Sequence, residues 1–376
     1  MPEPFKNLIN AAAVRDARQQ LERVWPAFDG KRFETLALDG LESLELKARA
    51  QHLCSALETT LPQDFARAAA LIESSLLPVN GDEALSALQR SNSGLAGWVL
   101  WPMAEYVARQ GLATPQRALV CLHALTQRFT AEWAIRPFIE QHPALVFATL
   151  RQWAEDPSPH VRRLVSEGSR PRLPGGLQLM GLIADPSPTL PLLRALQDDA
   201  SDYVRRSVAN HLNDIAKDHP ALLASWVEEH LRDASPERRA LLRHASRTLI
   251  KRGDPRVLAA WGLGRRLKGS VALRLSAKRV TVGATLGLEL TLTSTSPHTQ
   301  KLVIDYAVHH LKANGQTSPK VFKGWVIDLS PHERKLLTKS HSLRLITTRR
   351  YHAGRHEIDI RVNGEVLASA EFDLRL

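Results

Sequence analysis

The apolar residues of this chain change their spacing once, near residue 265, and that change restricts the fold to a helical part followed by a β part. Up to about Trp261 they recur at intervals of three and four with few β-branched runs, as in helices packed through one face. After Arg266 the interval becomes two, in Val271, Leu273 and Leu275, in Leu286, Leu288, Leu290 and Leu292, and in Ile358, Ile360 and Val362. Such alternation turns every second side chain to one sheet face, so this region reads as an all-β domain. Asn314-Gly315 and Asn363-Gly364 mark hairpins, because both residue types accept positive φ. Strand number and spacing suit a small immunoglobulin-like sandwich. The run from Tyr351 to Ile358 has the glycine and aromatic cadence of its penultimate strand, and Trp325 is a candidate core tryptophan. The cysteines of that fold are absent, so another sandwich topology stays open. The stretch 262-GLGRRLKGS-270 is the linker, dividing the chain into residues 1–264 and 265–376.

The helical part contains a degenerate repeat. Asp156-Pro157-Ser158-Pro159 precedes Val161-Arg162-Arg163, Ala200-Ser201-Asp202 precedes Val204-Arg205-Arg206, and Ser235-Pro236-Glu237 precedes Arg238-Arg239. The matching arginines, Arg163, Arg206 and Arg239, lie 43 and 33 residues apart. A helix pair per unit at that period describes a HEAT-like α-solenoid, with the Ser and Asp residues as N-caps. The expected fold is therefore an all-α HEAT-like solenoid followed by an all-β immunoglobulin-like sandwich.

Stacked repeats bring equivalent helices to one face. One turn after the repeated arginines come Glu167, Asn210 and Arg243, and Asp214 lies one turn beyond Asn210. Arg170 and Arg172 follow in a loop whose backbone Pro171 and Pro174 keep extended, which predicts that both side chains face solvent or a ligand. Each group also has an ordinary reading: Arg163, Arg206 and Asp214 as ion pairs between repeats, Glu167 as a helical partner of Arg163, and Trp133 as core.

Charge is distributed unevenly. The net charge is +11, and residues 265–376 hold 19 Lys and Arg against 9 Asp and Glu, leaving 31 basic and 30 acidic residues in the first 264. A basic module of this kind suits a polyanion, whose bound counterions it displaces; a solvated basic surface is the plain alternative. Arg349, Arg350 and Arg355 flank a glycine turn there, with Lys320 and Lys323 near another strand. The two cysteines, Cys54 and Cys121, are too few for a disulfide framework, and no signal peptide or membrane-spanning run is read, so a cytoplasmic protein is expected.

Four strings add a resemblance: 130-TAEWAIRPF-138, 160-HVRRLVSEGSRPRLP-174, 203-YVRRSVANHLNDIAKDHP-220 and 347-TTRRYHAGRHEI-358. Over most of its length the chain resembles the bacterial AlkC-type alkylpurine DNA glycosylases, relatives of the AlkD group. The resemblance implies a monomeric, nucleoid-associated enzyme of base excision repair that uses no cofactor or metal. Its substrate would be double-stranded DNA containing cationic bases such as N3-methyladenine and N3-methylcytosine, attacked without flipping the base. It assigns catalytic roles to Glu132, Glu167 and Asp214 and places Arg163 beside them, while the helix faces, the proline loop and the basic β part make Arg163, Arg170, Arg172, Arg206, Asn210, Arg243, Arg349, Arg350 and Arg355 the candidate DNA contacts. Trp133 would contact the lesion or its sugar. In the family an aromatic follows RPRLP, whereas this chain has Gly175 and Gly176, which places turnover in question.

The chemistry explains the acids. An N3-alkylated base already carries positive charge and leaves without protonation, so the protein need only stabilise an oxocarbenium-like sugar and orient a water. The arginines would hold phosphates on either side. No H-E-x-x-H, C-x-x-C or G-x-x-x-x-G-K-[ST] pattern is present, and His309 and His310 would point to opposite strand faces. Acids on separate repeats disfavour a metal-dependent nuclease. A non-catalytic scaffold binding DNA or protein is the other open reading, and it predicts that amide replacements of the acids are tolerated.

Overall fold

The computed structural model describes residues 4–79, 84–85, 87–263, 265–346 and 350–376. The chain divides into two compact units. One runs to Asp218 and includes Ser235–Ala245; the other joins His219–Ala234 to Ser246–Leu376. No helix among the described residues is long and apolar enough to cross a membrane.

The described residues of the first unit are mainly helical, apart from two isolated β-bridges in the segment from Leu76 to Leu95, and its repeats follow the sequence period. Helices Pro159–Gly168, Asp202–Asp218 and Pro236–Ala245 stack side by side. Their interior faces bury Val161, Leu164 and Val165, then Val204, Val208 and Leu212, then Leu241 and Leu242. The loop entering each of the first two helices is held by the first arginine of the repeated pair. Arg162 donates to the carbonyls of Asp156 and Pro157 at 2.8 and 2.9 Å, and Arg205 donates to those of Asp199 and Ala200 at 2.6 and 2.9 Å. Arg162 also forks onto Asp199 of the next repeat at 2.6 and 3.0 Å, and Arg238 reaches Asp198. Arg162 and Arg238 are thus among the arginines that join repeats, while Arg206 and Arg239 are exposed.

The capping differs from expectation at one unit. Ser158 occupies the N-cap position without a side-chain cap bond. Asp156 Oδ1 instead accepts from the Ser158 amide at 2.8 Å, a local turn that competes with capping by the hydroxyl. Ser235 does cap, accepting from Arg238 N at 3.2 Å.

In the second unit eight strands form two sheets: β1 (Gly269–Leu275), β2 (Arg279–Thr281), β3 (Thr285–Ser294), β4 (Gln300–Leu311), β5 (Thr317–Leu329), β6 (Arg334–Ser342), β7 (Gly354–Val362) and β8 (Glu365–Arg375). The sheet orders are β1-β3-β6 and β2-β8-β7-β4-β5. Leu286, Leu288, Leu290 and Leu292 of one sheet meet Leu302, Ile304, Tyr306, Ile358, Ile360 and Phe372 of the other in a single core, which is the immunoglobulin-like sandwich read from the alternation. His309 and His310 do face opposite ways: His309 binds Asp359 at 2.6 Å, while His310 packs edge-on against Tyr351. Trp325 is half-buried rather than enclosed: it packs against this core from β5, which stands next to β4 at the end of its sheet, under the ammonium of Lys339.

Asn363 and Gly364, with φ of 50° and 87°, make the two-residue turn between β7 and β8. Gly364 touches Gly253, the left-handed residue that ends helix Arg247–Arg252; a Cβ on Gly364 would lie 2.5 Å from the Gly253 Cα. Leu267, in the expected linker, is buried in the sandwich core. The helices from Arg247 to Ala260 thus belong to the same compact unit as the sandwich, together with helix Pro220–His230.

Candidate active site

The candidate residues come from three segments of the helical unit. Thr130–Glu132 forms a turn in which the Glu132 amide donates to Thr130 Oγ1 at 3.3 Å. Helix Pro159–Gly168 places Arg163 and Glu167 one turn apart, and helix Asp202–Asp218 aligns Tyr203, Ser207, His211, Asp214 and Asp218 on one face at spacings of three and four.

These segments close into a chain of alternating charges. Arg163 NH1 binds Glu132 Oε2 at 2.5 Å, and its NH2 lies 3.7 Å from Glu167 Oε1. Arg170 bridges Glu167 Oε1 at 2.5 Å and Asp214 Oδ2 at 2.7 Å, while Lys217 reaches Asp214 Oδ1 at 2.7 Å. Ser207 donates to Glu167 Oε2 at 2.6 Å, and Tyr203 lies under the Arg163 guanidinium at 5.2 Å. Three carboxylates thus face three cations, which removes the net repulsion that bare acids would exert on a phosphate backbone.

The electrostatics follow from burial and pairing. Burial works to raise the Glu167 carboxyl, but Arg163 and Arg170, with the Ser207 bond, outweigh it and hold it below the usual carboxylate range. Burial likewise opposes the charge of Arg170, and Glu167 and Asp214 more than restore it. His211 is different: fully buried, it donates from Nδ1 to Ser166 O at 2.9 Å, and burial lowers its pKa to about 4, leaving a neutral imidazole.

Arg170 corrects the sequence expectation. It is buried rather than turned to solvent, because Glu167 and Asp214 converge on it from two helices and a charge can be buried only where partners meet it. The loop is set from behind by Arg136, which is 0% exposed. Arg136 donates to the carbonyls of Gly168 at 2.9 Å, Arg170 at 2.8 Å and Leu177 at 2.5 Å. Arg172 behaves closer to expectation; it is part-exposed and forks onto Asp218 at 2.7 and 2.9 Å.

Trp133 is half-buried and stacked on Trp101, with centroids 4.5 Å apart and planes at 20°, and its Nε1 donates to Pro174 O at 3.3 Å. Gly175 has φ +71°, and a Cβ on Gly176 would approach Trp133 Cδ1 and Leu173 to 3.2 Å. The chain after RPRLP therefore packs glycine backbone against Trp133, in a conformation that a bulky L-residue at 175 would strain.

Other candidates stay apart from this network. Asn210 is hydrogen-bonded to His244 at 2.9 Å, Arg243 is half-buried, and Arg206 is exposed. On the sandwich, Arg350 is exposed and Arg355 lies 3.4 Å from Glu371; Arg349 falls outside the described residues. Residues the sequence reading missed are Arg136, Tyr203, Ser207, His211 and Lys217. The periodicity of helix Asp202–Asp218 contained the signal for the last four, whereas a lone arginine before Pro137 has none. Glu132, Arg163, Tyr203, Trp98 and Phe129 line a cavity of about 750 Å³.

The comparisons agree with this architecture. Residues 129–249 match the family described as "DNA alkylation repair enzyme", and residues 270–376 match the C-terminal Ig-like domain of YhaZ, an uncharacterised protein. The chain is 36% identical to uncharacterized protein YhaZ of Bacillus subtilis (strain 168), over 98% of this chain and 99% of that one. It is 35% identical to the Pseudomonas fluorescens alkylpurine DNA glycosylase AlkC, solved bound to DNA containing an abasic site analog, with a TM-score of 0.90 and 100% of both chains covered. With that likeness running the full length of helical and β parts alike, the chain belongs to the AlkC-type family of bacterial alkylpurine DNA glycosylases, within the AlkC/AlkD superfamily of HEAT-like repeat proteins.

Proposed function

We propose that this protein is a monofunctional DNA glycosylase that hydrolyses the N-glycosidic bond of cationic N3-alkylated bases, 3-methyladenine and 3-methylcytosine, in duplex DNA without extruding the base. It works as a monomer without cofactor in the nucleoid-containing cytoplasm, with residues 1–264 catalytic and the basic sandwich, 265–376, as a second contact to DNA. The observation that supports this most is the charge chain from Glu132 through Arg163, Glu167 and Arg170 to Asp214, in which Glu167 is kept ionised at neutral pH.

A leaving base that is already cationic needs no acid, so ionised carboxylates beside the sugar suit the reaction and protonated ones would not. At about 4 Å, a carboxylate and a developing oxocarbenium attract by about 4 kcal/mol at an effective dielectric near 20. The bonds to Glu132 from Arg163 and Thr130 both end on Oε2. Glu132 Oε1 accepts from no described side chain, which favours Glu132 as the acid that meets the water or sugar. Glu167 and Asp214 then fix the arginines and set the field. Exposed Arg206 and Arg350 and part-exposed Arg172 supply phosphate contacts.

The test is release of free base from methylated duplex DNA, resolved by mass spectrometry, for wild type, Glu132→Gln and Glu167→Gln. Release that drops sharply in a variant still binding DNA supports the reading. DNA binding without any release by wild type would instead favour a non-catalytic scaffold, the reading suggested by Gly175 in place of an aromatic.

A further inference from the structure

The cavity beside Glu132 has walls suited to a ligand that the duplex-surface chemistry does not require. Trp98 and Phe129, with ring centroids 5.1 Å apart, and Tyr203 supply its aromatic rings, and its polar groups come from Glu132 and Arg163 together with Asp16, Gln89, Arg90 and Thr130. Its volume of about 750 Å³ lies within the usual range for small-molecule sites.

The charges of its wall say what it does not hold. Arg163 is met by Glu132 and Tyr203, and Arg90, the other wall arginine, pairs with Asp16, which also lines the cavity. Both cations are neutralised from within, so the cavity offers little to a phosphate. What remains is aromatic and aliphatic surface, the Gln89 amide and a carboxylate oxygen, Glu132 Oε1, able to accept an N–H. A planar heteroaromatic ring with an amino edge suits the rings and the carboxylate, by stacking and by one hydrogen bond.

We propose that this cavity is a binding site for a free amino-bearing nucleobase, and that its occupant is the alkylated base set free by the reaction, an inference that rests on the glycosylase reading. Glu132 stands at the boundary between the two sites, so the base leaves the sugar on the side where an acceptor waits for its amino group. Release of product would then depend on this cavity, and added base would inhibit turnover.

The experiment is equilibrium dialysis of the full-length protein with 3-methyladenine, and with 1,3-dimethylthymine, a planar nucleobase analogue with no N–H, as control. Trp98→Leu and Phe129→Leu serve as variants, each checked for wild-type thermal unfolding. Saturable binding of 3-methyladenine but not 1,3-dimethylthymine, weakened about tenfold or more by either variant, is the expected result. Trp98→Leu should also relieve inhibition by added 3-methyladenine while its single-turnover excision rate stays at the wild-type value. Absence of saturable binding at millimolar base, or binding that survives both substitutions, would overturn the proposal. Base bound by a protein that releases none from DNA would support the site while refuting the glycosylase reading, so the two failures are separable.

Discussion

Replacing Glu167 with glutamine changes one charge and almost no volume, and its consequences for folding and for chemistry separate. In the folded protein Glu167 Oε1 is 2.5 Å from Arg170 and 3.7 Å from Arg163, and Oε2 takes the Ser207 hydroxyl at 2.6 Å. Removing one partner of a buried ion pair costs about 3–5 kcal/mol when the other charge is left alone. Here neither arginine is left alone, since Arg170 keeps Asp214 and Arg163 keeps Glu132. The cost should therefore fall at or below the lower end, about 2–3 kcal/mol, or roughly 5–10 °C in Tm for a unit of this size. Loss of a carboxylate from the field around a cationic sugar is worth up to about 4 kcal/mol, close to a thousandfold in rate. Single-turnover release of 3-methyladenine, run well below the variant's own unfolding temperature, reads the second effect without the first. A wild-type Tm would refute the ion-network account, and a wild-type rate would remove Glu167 from the chemistry.

Acidification should weaken the fold through His211. Its folded pKa of about 4 lies below the unfolded value near 6.5, so between those values the unfolded chain binds a proton that the folded one refuses. The stabilisation is complete above about pH 6.5 and declines by up to about 3 kcal/mol towards pH 4. Urea midpoints at pH 7 and pH 5 check this; the gap should shrink in His211→Asn, and an equal gap in both proteins would exclude the residue. Gly364→Ala should cost about 1–3 kcal/mol, because its φ of 87° and its contact with Gly253 both oppose a Cβ. Urea denaturation reads that cost, and an unchanged midpoint would mean the two glycines do not touch in solution. Arg206→Ala should weaken binding to duplex DNA and lower the slope of log K against log salt by about 0.9, the value for one phosphate no longer neutralised. Fluorescence anisotropy across a salt series measures it, and an unchanged slope would take Arg206 off the interface.

The amino-acid sequence by itself determined the change from helix to strand and the period of the repeats. The change of apolar interval at residue 265 separates helix from strand because side chains point the same way every three to four residues in one and every two in the other. The paired arginines, recurring near the start of each stacked helix, marked the units. The same period put Arg163 with Glu167 and Asn210 with Asp214 on common helix faces. Helix geometry is local, so these relations could be read from spacing alone. Direction was not local in the same way. Pro171 and Pro174 require extended backbone around Arg170, but they do not decide which side the guanidinium takes. Its inward course depends on Asp214, 44 residues away, and on Arg136, 34 residues away, whose guanidinium binds its carbonyl. Trp133 likewise met its stacking partner, Trp101, across more than thirty residues, and Arg163 paired with Glu132 of the preceding segment while Arg162 bound Asp199 of the following one. Only the tertiary structure decides such matters, because a buried charge or ring settles where partners converge in space, and no spacing along the chain records that convergence.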